Sequence, residues 1–555
     1  MKKLLQKFLF SFSVLVLLVN AKSFAQTPSW QWANGAGSTG TEMTTGTALD
    51  GSGNLFATGW YTSASITFGT NTFMNQGSFT GDIFLVKYNP SGTVLWAKSF
   101  GAADGELCNG VAADAAGNVY ITGLFASPTL AIGSVTLVNS NPGSSDIFVA
   151  KLDATGNTVW VKSAGSTQAD RGNGIAVDAS GNVFATGYYI SPVINFGTGN
   201  LTNAGTTTTD FFLTKYDNNG NTLWARSVGG TNNESGNSVA VDSLGNAYIT
   251  GAFMSASINF GSGVINNSTA GSQDVFVVKY NGSGTAVWSA RTGGSLDDFG
   301  NSIAVKKNNV YLTGGYNSAA ITVSTNTLTN ASAGTVDLFL IKMDLGGIVQ
   351  WAKRSGGLDS EAGNGVATDS MGNVFVTGYF SSSSLTFGTI TVNNFSFGYR
   401  DLFVAAYNSG GTANWATEVG STYDETANCI AVHPGGTDIY IGGLFSSGVV
   451  SFGAYNVYKG CGDDVFVAKL LGPLVGIQEY VSNETVSAFP NPTSGKIFIR
   501  EKGEITVYNS LGEIVLSENI TEANEIDLSN QPKGVYYVKL SDSNLKTKTG
   551  KLIVE

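Results

Sequence analysis

Seven carboxylates occupy the same place in seven stretches of this sequence. Glu42, Glu106, Asp170, Glu234, Asp298, Glu361 and Glu425 each stand ten residues after a tryptophan: Trp32, Trp96, Trp160, Trp224, Trp288, Trp351 and Trp415. Three chemistries are open to acids so placed. They can accept backbone N–H bonds and tie a loop to its neighbour. They can hold calcium or another hard cation together with carbonyl oxygens. A pair of them can act as general acid and base, as in glycoside cleavage. Recurrence at every copy favours the tie, because a packing role is needed in each. A catalytic pair calls for one copy that departs from the rest, and none plainly does. No EF-hand spacing accompanies the acids, although Asp104, Asp297, Asp359 and Asp424 stand close by.

Other reactive constellations are sparse. The single histidine, His433, precedes Pro434 and has no second histidine or cysteine at zinc-ligand spacing. A Ser-His-Asp arrangement could use only His433, whose counterparts in the other copies are mostly Asp in a turn, so it reads as a turn residue. There is no Ser-x-Asp-x-Gly-x-Thr-Trp box like that of sialidases, and no histidine pair as in propeller lactonases. The GNG and GSG triplets read as turns and not as a phosphate loop. Of the three cysteines, Cys429 and Cys461 fall in one repeat and are the candidate disulfide; the alternative is three small, partly buried thiols. No catalytic residue and no cofactor is assigned, with calcium the one cation considered.

The elements that position these acids are repeats of about 64 residues. The tryptophans mark them, as do Gly59, Gly123, Gly187, Gly251, Gly314, Gly378 and Gly442. A third marker is an aspartate before a Phe-containing strand: Asp82, Asp146, Asp210, Asp274, Asp337, Asp401 and Asp464. Each unit reads as four strands, for instance GNGIAVD, VFATGYY, DFFLTKYD and TLWARSV, with Asp-Gly-Asn turns between them. An excursion of roughly 20 residues, usually holding Phe-Gly, separates the second strand from the third. Four-stranded units in seven copies predict an all-β, seven-bladed β-propeller, with a linear solenoid as the competitor. The array opens on a lone tryptophan strand, SWQWANGAG, and ends on a third strand, DVFVAKL, with none after it. A ring closed by the N-terminal strand explains both ends. The seven acids would then stand around the mouth of the central channel on the face bearing the excursions. The recurrent Phe and Trp residues read as blade-to-blade core. Tyr188, Phe395, Phe397 and Tyr399, in the variable excursions, are the better ligand-binding candidates.

The phrases D-x-x-G-N-[VA]-[YF] and D-[IVL]-F-[LV]-x-K resemble those of bacterial secreted SBBP, or seven-bladed β-propeller, repeat proteins across roughly residues 29–470. That resemblance implies the fold and says little about activity. Lys306–Asn309 departs from it by replacing the Asp-turn, and Ala406 by replacing a lysine.

Charge density rises near the C-terminus, where short alternating segments read as a small Ig-like β-sandwich. Its motifs resemble the type A C-terminal sorting domain of the type IX secretion system of Bacteroidota: Phe489, Pro490, Asn491, Pro492 and Gly495, then Gly512, then Gly534 and Tyr536. The resemblance implies the type IX machinery as a partner and passage across the outer membrane, to release or to attachment at the surface. At the other end Lys2, Lys3 and Lys7 precede an apolar run closed by Ser23-Phe24-Ala25, a signal peptide. That run is too short for a membrane span, and none is expected in the mature chain. The expected organisation is signal peptide 1–25, propeller 26–470, linker 471–485 and sorting domain 486–555. A net charge of −11 argues against nucleic acid. The expectation is an exported, monomeric, non-catalytic scaffold that binds an extracellular glycan or protein or serves adhesion. A secreted polysaccharide hydrolase and a structural surface-layer component are the rivals.

Overall fold

The computed structural model describes residues 27–473, 486, 488–509, 514–521, 524–541 and 547–555. The expected signal peptide, most of the expected linker and Gly512 lie outside the described residues. Every described regular element is a β-strand. The chain divides into two compact units, Met1–Val475 and Gly476–Glu555.

The first unit is propeller-like. A lone strand β1 (Ser29–Ala36) is followed by β2 (Glu42–Leu49), β3 (Leu55–Tyr61), β4 (Ser65–Phe68), β5 (Asn71–Met74), β6 (Asp82–Tyr88) and β7 (Val94–Phe100). Strands β2–β3–β6–β7 form one antiparallel sheet in that order, while β4 and β5 pair only with each other. Five further repeats build the same sheet and hairpin. The seventh sheet takes three strands from the end of the array, Glu425–Val432, Asp438–Phe445 and Asp464–Leu471, and its outermost strand is β1. The excursion between second and third strands is thus a hairpin in every repeat.

Local chemistry explains the pattern. In the β2–β3 turn, Asp50 Oδ1 accepts N–H bonds from Ser52 and Asn54, both 2.9 Å, which fixes an Asx turn. The third strand is buried along its whole length, so it reads as a continuous apolar run and not as an alternation. The excursion hairpin is anchored by its phenylalanine: Phe68, Phe196, Phe260, Phe387 and Phe452 pack on Phe84, Phe212, Phe276, Phe403 and Phe466 with centroids 4.8–5.1 Å apart. The marker tryptophans join neighbouring sheets. Trp96 Nε1 donates to the Ala154 carbonyl (3.1 Å), and its ring packs 3.3 Å from where a Cβ on Gly156 would stand. Gly156 has φ +84°, a left-handed conformation that favours glycine.

One sequence marker is displaced. The glycine that faces the third-strand phenylalanine in the seventh sheet is Gly443, opposite Phe466, as Gly59 is opposite Phe84; Gly442 is not that residue. The turn between Val432 and Ile439 is one residue longer than its counterparts, which moves the register by one.

The C-terminal unit holds a three-stranded sheet, in the order Ala488–Phe489, Lys496–Ile499, Asn524–Asp527, and a four-stranded sheet, in the order Ile514–Ile520, Gly503–Tyr508, Gly534–Ser541, Thr547–Val554. Ile497, Ile505, Val507, Ile526 and Val538 are among the residues that fill its core.

Candidate functional site

The seven acids open the first strand of each sheet and are buried, none more than 1% exposed. They do not stand at an open mouth. Each binds a serine twenty or so residues ahead, at the start of the excursion. The backbone N–H of Ser127 donates to Glu106 Oε1 (3.1 Å), and Ser255, Ser318 and Ser382 do the same to Glu234, Asp298 and Glu361 at 3.1–3.2 Å. The preceding loop supplies a second donor, as in Ala102 N–H to Glu106 Oε2 at 2.8 Å and Gly230 N–H to Glu234 Oε2 at 2.8 Å. The serine hydroxyl in turn accepts a loop N–H, such as Asp104 to Ser127 Oγ at 2.8 Å. Loop, first strand and excursion are locked together, which is the work of a tie.

A second acid lies beside each first one. The third-strand aspartate of one sheet, such as Asp82, faces the first-strand acid of the next, Glu106. All seven of these aspartates are buried, and Oδ1 of each has no hydrogen-bond donor. A glycine is required against every one of them: a Cβ on Gly101 would meet the Asp82 carboxyl carbon at 2.1 Å, and Gly229 stands likewise on Asp210. Burial pushes the acids up, Glu234, Glu361 and Glu425 to about 7 and Asp170, Asp210 and Asp401 to about 6.

The first strands of all seven sheets line one polar cavity of about 250 Å³. Each carries a bulge, and in six of them the bulged residue is an asparagine: Asn109, Asn173, Asn237, Asn301, Asn364 and Asn428. Each amide donates to a carbonyl of the next sheet, at Gly172, Gly236, Gly300, Gly363, Ala427 and Thr44, over 2.8–3.1 Å. Thr45 takes the seventh place and donates to the Cys108 carbonyl at 2.7 Å. The GNG triplets at Gly172–Gly174 and Gly363–Gly365 are therefore strand bulges and not turns. Sequence reasoning missed this belt, although the six asparagines recur at the repeat period, as do Ser63, Ser127, Ser191, Ser255, Ser318, Ser382 and Ser447.

The loop aromatics divide. Tyr188 lies half-buried on the second strand of the third sheet, opposite Arg171 and Phe211. Phe395, Phe397 and Tyr399 lie together on the excursion of the sixth sheet, 71%, 74% and 41% exposed. Tyr399 meets Tyr423 edge to face at 5.2 Å, and the Arg400 guanidinium lies 4.3 Å from the centre of the Tyr379 ring. Arg400 N–H donates to Asp424 Oδ1 at 2.9 Å.

The candidate disulfide is not formed: all three cysteines are free. Cys429 is buried on a first strand with Sγ towards the Gly442 carbonyl, whereas Cys461 is exposed in the last excursion, its N–H bonded to the Ser38 carbonyl. His433 occupies the turn position of Asp50 and accepts the Gly435 N–H at Nδ1 (3.2 Å). Among the described residues no cluster of three or more His, Cys, Asp or Glu side chains could hold a metal ion.

In the C-terminal unit, Asn491 ties the motif to the last strand: Ile553 N–H donates to its Oδ1 (2.9 Å), and its amide donates to the Lys551 carbonyl (2.6 Å). Phe489 and Phe498 stack at 6.3 Å, Pro490 and Pro492 flank Asn491, and Tyr536 OH donates to the Pro532 carbonyl at 2.6 Å. A Cβ on Gly495 would stand 2.7 Å from Ser529 Cα, and Gly534 opens the strand that carries Tyr536.

Fold and motifs define an all-β chain with a propeller-like body and a separate C-terminal secretion unit. Residues 487–555 match the secretion system C-terminal sorting domain family, and residues 223–252 match the SBBP β-propeller repeat family. The chain thus carries a sorting domain for export and an SBBP repeat. An uncharacterised WD repeat-containing protein, L264, of Acanthamoeba polyphaga mimivirus is 26% identical over 424 residues, which are 63% of this chain and 30% of that one. The regulatory protein FlaEY of Caulobacter vibrioides is 27% identical over 354 residues, 58% of this chain and 35% of that one. The chain spans about a third of the length of these relatives. Among solved structures, the WD40 β-propeller domain of Doa1 is matched at a TM-score of 0.39 and 8% identity, over 82% of this chain and all of that one. The extracellular domain of a putative hybrid two-component system, BT4673, from B. thetaiotaomicron is matched at 0.30 and 12%, over 92% and 68%.

Proposed function

We propose that the chain is an exported, non-catalytic seven-bladed β-propeller that binds carbohydrate outside the cell through the excursion of its sixth blade. In this reading β1 closes the ring, the C-terminal unit is an Ig-like sandwich read by the type IX secretion machinery, and the delivered protein is a monomer without a cofactor at the outer surface. One observation carries the binding site. The excursion of the sixth sheet has the same turn as that of the second, with Phe395 N–H on Asp401 Oδ2 and Ser396 N–H on Asn394 Oδ1, as Ser140 and Asn141 bond to Asp146 and Asn139. Yet it presents Phe, Phe and Tyr where that excursion has Ser140, Pro142 and Ser144. The turn does not need the rings, so their exposure serves something else. Rigid aromatic faces give a sugar's C–H face a large contact at low entropy cost, and Arg400 and Asp424 beside them offer polar partners for hydroxyls. A hydrolytic reading would need acids that substrate can reach, and the first-strand acids are enclosed and bonded to their own loops.

The test is binding of the full chain to a broad glycan array, once with calcium and once with chelator. A defined glycan bound equally in both is expected. No glycan bound in either would overturn the carbohydrate reading, and binding lost in chelator would reinstate a cation at the acids.

A further inference from the structure

The excursion hairpin of the fifth sheet lacks a part that the others have. In five repeats a hairpin phenylalanine packs on the third-strand phenylalanine: Phe68, Phe196, Phe260, Phe387 and Phe452. In the second repeat Ile132 takes that place, and a ring enters from the other side. Phe100, at the end of the neighbouring sheet's outer strand, joins the core cluster of Ile132 and Phe148. Where the hairpin already holds a phenylalanine, the same strand position carries Ala36, Ala164, Val228, Ser355 or Val419. The fifth hairpin has Val323, and its neighbouring strand ends on Thr292, whose hydroxyl donates to the Thr322 carbonyl at 3.0 Å. The core cluster of Val323 holds no phenylalanine but Phe339 itself.

The missing ring leaves a gap. A cavity of about 370 Å³ lies between the fourth and fifth sheets, walled by Val277, Leu312, Val323, Met343 and Val349. Arg291, Ser324 and Ile348, all exposed, line it as well, so it reaches the surface. Ser324 is a second departure at the same spot. It has φ +57°, where Gly69, Gly133, Gly197, Gly261, Gly388 and Gly453 hold the left-handed turn of the other hairpins. A side chain kept in that strained conformation puts a hydroxyl at the mouth. An unfilled apolar gap weakens a fold, and the chain fills the one at Ile132 but not this one.

We propose that this gap is a binding pocket for a small uncharged aryl compound, its ring in the place of the phenylalanine that the fifth hairpin lacks and its polar arm at Ser324 and Arg291. The mould is that of a phenyl ring, because the same hairpin closes over one in five repeats. An apolar cavity of about 150 Å³ admits benzene, so this larger one has room for a ring with a short arm. The walls make no polar demand on the ring, and Met343 can adapt its shape to it. Charge does not select an anion. Arg291 is already paired: Nη1 donates to Asp274 Oδ2 at 3.1 Å and to Ser268 Oγ, and the guanidinium has further N–H donors for a hydroxyl or ether oxygen. The pocket is independent of what the sixth excursion binds.

4-Fluorobenzyl alcohol, titrated into the full chain and followed by fluorine NMR, tests the pocket. Saturable binding is expected, with a nuclear Overhauser contact from the probe ring to the Met343 methyl group, which Met343→Leu assigns. Val323→Phe with Ser324→Gly restores the Phe-Gly pair of the other hairpins, and Thr292→Phe copies the arrangement at Ile132. Each fills the gap by a different route, so each should weaken binding about tenfold or more in a protein that still unfolds cooperatively in urea. 4-Fluorobenzoate, of similar size but charged, is expected to bind more weakly. No saturable binding in the parent, binding without the Met343 contact, or unchanged affinity in a folded variant with the gap filled would each overturn the pocket. Equal or tighter binding of the benzoate would overturn the assignment to uncharged compounds.

Discussion

The side-chain amide of Asn428, on the first strand of the seventh sheet, donates to the Thr44 carbonyl on the first strand of the first sheet, 3.1 Å away and 384 residues back along the chain. Thr45, the next residue, donates on to the Cys108 carbonyl of the second sheet at 2.7 Å. An asparagine at a bulge can make such a bond because the extra residue leaves the ladder and turns its side chain towards the neighbouring strand.

Removing one link should cost stability without changing the fold. Asn237→Ala deletes a 2.9 Å bond to the Gly300 carbonyl and leaves that carbonyl in need of water from the cavity. A loss of about 1 kcal/mol is expected, the usual net worth of such a bond, read from urea denaturation midpoints at unchanged m.

The serine ties should matter more than their size suggests. Ser191 donates to Asp170 through both N–H (3.1 Å) and Oγ (2.7 Å), inside the protein. Ser191→Ala strips the hydroxyl from a buried acid, and a destabilisation of roughly 1–3 kcal/mol is expected by the same assay. Ser52→Ala is the control: its backbone N–H, and not its hydroxyl, bonds Asp50, so the midpoint should move by less than about 0.5 kcal/mol.

The destination of the acids could not be read from their spacing. A residue at the edge of a strand gives no sign of whether it faces solvent or the next sheet, so its nearness to a loop alone suggested a mouth. What settles the direction is the partner serine and the glycine under each aspartate, two signals that recur at the same period but carry no reactive group to draw notice. The strands were legible because Asp-Gly-Asn turns and continuous apolar third strands have few alternative readings. The bulge was not, since one extra residue in a strand flips its faces without altering composition. Gly442 was displaced for a similar reason: one added turn residue shifts register while the spacing from Trp415 stays plausible. The Cys429–Cys461 pairing rested on shared membership of a repeat, which places neither side chain.

Stability should fall as pH rises through neutrality. Glu361 is pushed by burial from an ordinary 4.5 to about 7, so folding favours its protonated form. A raised folded value means a contribution fully present below about 4.5 and lost as pH climbs through about 7. Glu234, Glu425, Asp170 and Asp298 shift in the same direction. The urea midpoint is expected to be lower at pH 8 than at pH 5.5; an increase over that interval would contradict the burial of the acids.

The exposed rings of the sixth excursion should be dispensable for folding. Phe395→Ser and Phe397→Ala remove side chains more than two-thirds exposed. The shared turn remains held by Asp401 and Asn394, so the denaturation midpoint should stay within about 0.5 kcal/mol of the parent.

Binding of one glycan by the full chain and by its Phe395→Ser, Phe397→Ala, Tyr399→Thr variant, measured by calorimetry at equal fold stability, distinguishes a site on the sixth excursion from one elsewhere. A glycan bound by the parent is expected to be lost, or weakened at least tenfold, in the variant. Equal affinity in the two proteins would contradict this and move the binding surface away from the sixth excursion.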